Sequence, residues 1–171
     1  MCYVESITSP LGKITLASNG DTLKGCWFEG QKHFARTLSC VCETKPLAIF
    51  DDAKRWLDVY FQGEEPLILP RLSFPRGASA FEQKVWQALL EIPYGATVTY
   101  KDVAQKVGGA TYCRAAAGAI GRNPISLFVP CHRVIGSDGS LTGYAGGLDR
   151  KAWLLRLEAG GTGGKSKVSY R

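Results

Sequence analysis

The stretch Phe128–Gly136, FVPCHRVIG, carries a thiol, an imidazole and a guanidinium on three successive residues, Cys131, His132 and Arg133, introduced by Pro130. Three chemistries compete for it: a metal site, a hydrolytic Cys–His dyad, and a thiolate activated indirectly. In an extended segment adjacent side chains point to opposite faces, so Cys131 and His132 are not expected to share the direct hydrogen bond of a cysteine protease. Adjacent Cys and His seldom close a good tetrahedron, and only Cys113 offers a further ligand in this half, so no metal is expected. What remains is a thiolate, a base reached through water, and a carboxylate that holds the base. Glu158, the acid in the apolar last turn of the final helix, fits the third role, because the helix dipole does not favour a negative charge there. A free thiol ionises near pH ~8.5, so a relay that eases deprotonation raises the reactive fraction directly.

Outward from this stretch the chain divides into two characters. Three segments with strand-like alternation, CYVESIT, GKITLAS and TLKGCWF, with Asn19-Gly20-Asp21 as a turn between the last two, predict an antiparallel meander. A helix follows over about Phe50–Gln62, capped by Asp51 or Asp52, with Ala53, Trp56, Leu57, Tyr60 and Phe61 at helical spacing. Gly63–Ser79 is rich in proline and glycine and reads as a linker. Beyond it Ser79–Glu82 forms a capping box for a helix running towards Pro93-Tyr94-Gly95, and Thr99 caps a short helix that Gly108-Gly109 ends. The run Ala110–Gly121 is small, helical, and uncharged except for Arg114. Two short helices joined through glycine fit a helix-turn-helix, and Ala115 to Ala119 would admit a close backbone. A last helix spans about Asp149–Ala159, and residues 161–171 read as a loose tail.

With 171 residues and 45% hydrophobic composition the chain can bury one core, or two small ones that share an interface. The net charge of +6 is unevenly placed: the first 75 residues hold 8 basic and 9 acidic side chains, the remainder 13 and 6. A basic second half attracts polyanions, nucleic acid first among them. No apolar run approaches a membrane span, and Glu5 interrupts any leader, so a cytoplasmic protein is expected. In that compartment the six cysteines should be reduced, most of them as small buried hydrophobes.

Three further stretches, NPISLFVPCHRVIG, GYAGG and RKAWLLRLE, make the chain resemble the O6-alkylguanine-DNA alkyltransferases, also called methylated-DNA–protein-cysteine methyltransferases. The likeness runs from about Phe81 to Glu158, and the first half agrees in general character. It implies an α+β fold: a ribonuclease-H-like antiparallel sheet domain with linker (1–75), then a mostly helical, winged-helix-like active-site domain built on a helix-turn-helix (76–160). It also implies direct-reversal DNA repair without cofactor or metal. Cys131 would accept the alkyl group from O6 of guanine, His132 act as base through water, Glu158 stand behind it, Asn123 brace the turn, and Tyr100 donate to guanine N3. Arg114 would fill the gap left by a flipped nucleotide, with Tyr100, Ala115, Gly118 and Arg122 also on the DNA and Val134, Tyr144, Ala145, Gly146, Trp86 and Ile120 around the pocket. The implied partner is duplex DNA bearing O6-alkylguanine, gripped through the minor groove by a monomer, with O4 of thymine left open as a second substrate. Related non-catalytic lesion binders carry tryptophan where Cys131 stands.

Overall fold

A computed structural model describes residues 1–38 and 40–160, so the expected tail falls outside the described residues. The meander forms as expected, from β1 (Tyr3–Ser9), β2 (Gly12–Ser18) and β3 (Leu23–Phe28), antiparallel throughout. Its alternation builds the core: Ile14 and Leu16 of β2 and Cys26 and Phe28 of β3 turn inward and are buried. A two-residue strand, β4 (Glu43–Thr44), adds parallel to β1, giving the order β3-β2-β1-β4.

Helix α1 (Ala48–Phe61) starts two residues before the expected boundary. Its N-cap is Leu47, which offers no side-chain acceptor, so neither Asp51 nor Asp52 is the cap. Both lie inside the helix, where Asp51 meets Lys54 and Asp52 meets Arg55. The buried stripe Phe50, Ala53, Trp56, Leu57 and Tyr60 packs towards the sheet and the second half.

The proline-rich connection does more than link. Leu23 of β3 donates to Arg71 O and its carbonyl accepts from Ser73 N–H, so the connection pairs with the outer edge of the sheet. Further along the same edge Cys26 N–H donates to Pro124 O and Ser126 N–H to Cys26 O. The first half therefore holds the segment leading into Cys131 by backbone hydrogen bonds. One continuous core spans both halves, from Leu16 and Phe28 through Tyr60 and Trp86 to Val129 and Leu157. Each such large apolar side chain taken out of water contributes roughly 1.5–3 kcal/mol.

In the second half, α2 (Ala80–Leu90) begins at Ser79 with both arms of its capping box made. A short strand β5 (Val98–Thr99) leads into α3 (Tyr100–Val107), which carries the same device on Thr99 and Asp102. After a single 3₁₀ turn at Ala110–Tyr112, α4 (Cys113–Gly121) packs against α2 and α3. β6 (Val134–Ile135) pairs parallel with β5, and α5 (Leu148–Glu158) closes the domain. No helix among the described residues is long and apolar enough to cross a membrane.

The expectation of six reduced cysteines is corrected. The register that sets Tyr3 opposite Glu43 brings Cys2 and Cys42 together, and they form a disulfide; Cys26, Cys40, Cys113 and Cys131 are free thiols. Nothing in the spacing of these residues announces a pairing that depends on β4 joining the sheet.

Candidate active site

Cys131–Arg133 form a 3₁₀ turn and not an extended segment, which corrects the geometric premise drawn from the sequence. Asn123 makes the turn: its Nδ2 donates to Val129 O at 2.8 Å and its Oδ1 accepts from Ile125 N–H at 3.0 Å. Within this clasp Leu127 adopts φ 74°, a left-handed conformation that costs a non-glycine residue about 1–3 kcal/mol and persists only where its surroundings enforce it. The Cys131 N–H then closes on Val129 O at 2.8 Å. The thiol is buried, and burial raises its pKa, while Asn123 and the positive charge of Lys151 pull it back down.

The imidazole of His132 does not reach for the thiol. Its Nε2 meets Glu158 Oε2 at 2.5 Å in a wholly buried contact, and its Nδ1 is a buried nitrogen without a protein partner. Glu158, at the end of α5, collects donors on both oxygens. Oε1 accepts from Arg133 Nε at 2.7 Å and from the Gly95 N–H at 3.1 Å. Oε2 accepts from Arg133 Nη2 at 3.1 Å and from the Tyr60 hydroxyl at 2.6 Å. Burial alone would raise the carboxyl, but its cationic and hydrogen-bonded neighbours outweigh it and hold Glu158 well below the usual carboxylate range. Arg133 is the partner that stays charged, so Glu158 is ionised without demanding a proton on His132. Burial keeps the imidazole neutral, its pKa below the ordinary value. With Nε2–H turned to the carboxylate, Nδ1 is left as a lone-pair acceptor, and that is the state of a resting base.

An open cleft of about 1060 Å³ has Tyr100, Arg114, Gly118, Tyr144 and Ala145 in its lining, and the buried Cys131 is not part of that lining. The Tyr100 hydroxyl donates to Thr142 O at 2.7 Å and Gly143 O at 2.9 Å. Burial and the nearby Cys131 push its pKa up to about 12. Lys151, fully buried on α5, sends Nζ to the same carbonyls, at 2.9 and 3.3 Å, and to the Tyr100 oxygen at 3.5 Å. Burial lowers this ammonium to about 8. The loop holding Tyr144 and Ala145 is stapled to the first half: Lys32 N–H donates to Ala145 O, and the Arg150 guanidinium reaches Gly146 O, Leu11 O and Glu29 O.

The remaining expected residues separate by face. On α4, Arg114 and Ala115 are exposed and Gly118 is half-buried, whereas Ala116 and Ala119 are in the core, so only part of the alanine run is open to a partner. Arg122 is engaged with Glu82 at 2.8 Å. Trp86 and Ile120 belong to the core between α2 and α4, the Trp86 Nε1–H donating to Ala119 O at 2.8 Å; neither lines this cleft. Val134 is buried in β6.

Three side chains of the site are given no role there by the reading of the sequence. Tyr60 is one more aromatic on an amphipathic stripe, and Lys151 one more cation on a mixed helix. Arg133 did leave a signal, since a lone buried carboxylate beside a histidine needs a permanent cation, and the residue after that histidine is one.

The fold is mixed α+β, and its site sets a buried cysteine next in the chain to a buried histidine that is paired with a carboxylate. Residues 80–160 match the family of the 6-O-methylguanine DNA methyltransferase, DNA binding domain, and residues 2–70 match its ribonuclease-like domain. A methylated-DNA–protein-cysteine methyltransferase of Methanosarcina barkeri is 45% identical over 157 residues, 91% of this chain and 96% of that protein. Its counterpart in Mycobacterium tuberculosis is 42% identical, covering 92% and 93%. The crystal structure of the Mycobacterium tuberculosis O6-methylguanine methyltransferase superposes with a TM-score of 0.82 at 40% identity over 96% of this chain and 97% of that one. A structure of the Mycobacterium tuberculosis protein in complex with DNA gives the same TM-score over 92% and 93%. The chain belongs to the methylated-DNA–protein-cysteine methyltransferase family.

Proposed function

We propose that this chain repairs DNA by direct reversal, moving the alkyl group from O6 of guanine to the sulfur of Cys131 once per molecule. The observation that carries the reading is the buried array Cys131, His132, Glu158, with Nδ1 of His132 free as an acceptor and Nε2 fixed by an ionised carboxylate. The Cys131 proton passes to His132 through water, and the imidazolium that results sits against Glu158, already charged and already oriented. Sulfur then attacks the alkyl carbon. A carbon–sulfur bond forms, the carbon–O6 bond breaks, and its electron pair returns to the purine. The Tyr100 hydroxyl supplies a proton at N3, balancing the one removed from the thiol. Lys151 holds the two carbonyls to which Tyr100 now donates, so the phenol can turn to the base without orphaning them. A thioether is a poor leaving group, and the protein does not recycle.

O6 inside a duplex is out of line with any sulfur in a buried turn, so the nucleotide must leave the stack at a cost of a few kcal/mol. The exposed face of α4 suits that step, since Arg114 is long enough to occupy the gap, and Ala115 and Gly118 allow a close approach in the minor groove. The basic second half supplies phosphate affinity that weakens as salt rises. The protein is read as a cytoplasmic monomer that needs no cofactor.

Mixing the protein with excess duplex carrying one O6-methylguanine tests this. The expected result is one restored guanine per protein molecule and then no more. Repeated turnover would point to a hydrolase, and binding without transfer to a non-catalytic lesion binder.

A further inference from the structure

Outside the active site, the described residues contain one cluster of metal-ligating side chains: the sulfurs of Cys2, Cys40 and Cys42 lie within 4.8 Å of one another. We propose that this cluster, at the β1–β4 edge of the first-half sheet, is a site for a soft, thiophilic cation such as zinc when the chain is reduced.

Backbone pairing builds the site. Tyr3 is in register with Glu43, and Glu43 N–H donates to Cys2 O at 3.0 Å, which sets residues 2 and 42 side by side before any sulfur chemistry occurs. Cys40, two residues earlier, brings a third sulfur from the same segment. In a tetrahedral thiolate site with Zn–S near 2.3 Å the sulfurs stand about 3.8 Å apart, so once the Cys2–Cys42 bond is opened those two sulfurs must part by about 2 Å, while Cys40, already within 4.8 Å of both, needs at most a small approach. Burial is graded: Cys2 is buried, Cys42 half-buried and Cys40 exposed, which leaves an entry path and an open fourth position for water. Three thiolates and no hard oxygen ligand select against magnesium and calcium. The cation and the disulfide exclude one another because they use the same sulfurs. In a reducing compartment the cation, not the disulfide, would tie the two-residue β4 to the sheet.

The site is remote from the repair chemistry and is tested separately from it. The chain is reduced with a phosphine, freed of reductant without air, and titrated with cobalt(II), following the thiolate-to-cobalt charge-transfer absorption. The expected result is saturation at one equivalent, displacement by zinc, no signal from the oxidised chain, and loss of signal in Cys40→Ser and in Cys42→Ser. Cys40 is exposed and far from the machinery, so Cys40→Ser should still accept a methyl group, which confirms its fold. The proposal is overturned if reduced wild-type protein gives no charge-transfer band, or if the band persists in both variants.

Discussion

Replacing Glu158 by glutamine preserves shape and removes charge, and its consequences can be worked from the contacts. The carboxylate accepts from five donors: two on Arg133, the Gly95 N–H, the Tyr60 hydroxyl and His132 Nε2. An amide has one oxygen. If that oxygen keeps Arg133 Nε and Gly95, the NH2 group faces His132 Nε2–H and Arg133 Nη2, donor against donor, and only the Tyr60 hydroxyl can turn to accept. If it turns the other way, the NH2 group opposes Arg133 Nε and the Gly95 N–H. In both cases the buried guanidinium loses its counter-charge, and a buried pair broken on one side costs about 3–5 kcal/mol. Against a typical total of about 5–15 kcal/mol that is a large fraction. His132 also loses the group that stabilises its protonated form, and a positioned base contributes typically about 10²–10⁴ in rate. The expected outcome is a urea midpoint lowered by that energy at unchanged slope, together with transfer slowed about a hundredfold where the variant is still folded. Unfolding is read by fluorescence and transfer by single-turnover kinetics. A variant within about 1 kcal/mol of wild-type stability and within twofold of its rate would show that this network neither supports the fold nor serves the base.

Lys151→Met removes the cation that offsets burial at the Cys131 thiol; the ascending limb of the pH–rate profile, where the thiolate forms, should move to higher pH with slower transfer at neutrality, and an unmoved limb would exclude an electrostatic role. Acid should destabilise the protein in two steps. In the folded state His132 lies below its ordinary 6.5 and Glu158 below its ordinary 4.5, so at both groups the unfolded chain binds more protons, and stability present above those values is lost as pH falls through and below them. Urea midpoints measured from about pH 7.5 down to about pH 4 read this directly, and a midpoint that stays level or rises on acidification contradicts it. Arg114→Ala should slow repair of duplex DNA more than reaction with the free base O6-benzylguanine, and equal effects would remove Arg114 from the flipping step.

Local chemistry was legible in the sequence where local hydrogen bonds decide the outcome. The capping box at Ser79 and the cap at Thr99 form as read, the latter also as a full box with Asp102, because each depends on four consecutive residues. The three-strand meander was legible for a similar reason, its alternation and turn lying within one short stretch. The start of α1 was not, since tertiary burial of Ile49 and Phe50 extends the helix past the acidic residues that looked like its cap. Pro130-Cys131-His132 looked extended and folds into a turn because Asn123, seven residues earlier than Pro130, pulls Val129 and Ile125 together. Tyr60 enters the site across 98 residues from Glu158, and no pattern in either segment encodes that meeting. The Cys2–Cys42 disulfide was hidden in the same way, behind a two-residue strand too short to show a period.

The most direct measurement is to locate the transferred group. After reaction with DNA carrying O6-methylguanine, the protein is digested and its cysteine-containing peptides are sequenced by tandem mass spectrometry. A single methyl thioether is expected on Cys131 in every reacted molecule, with Cys26, Cys40 and Cys113 unmodified. A methyl group on one of those thiols, or none on Cys131 after the lesion has disappeared, would rule out Cys131 as the acceptor.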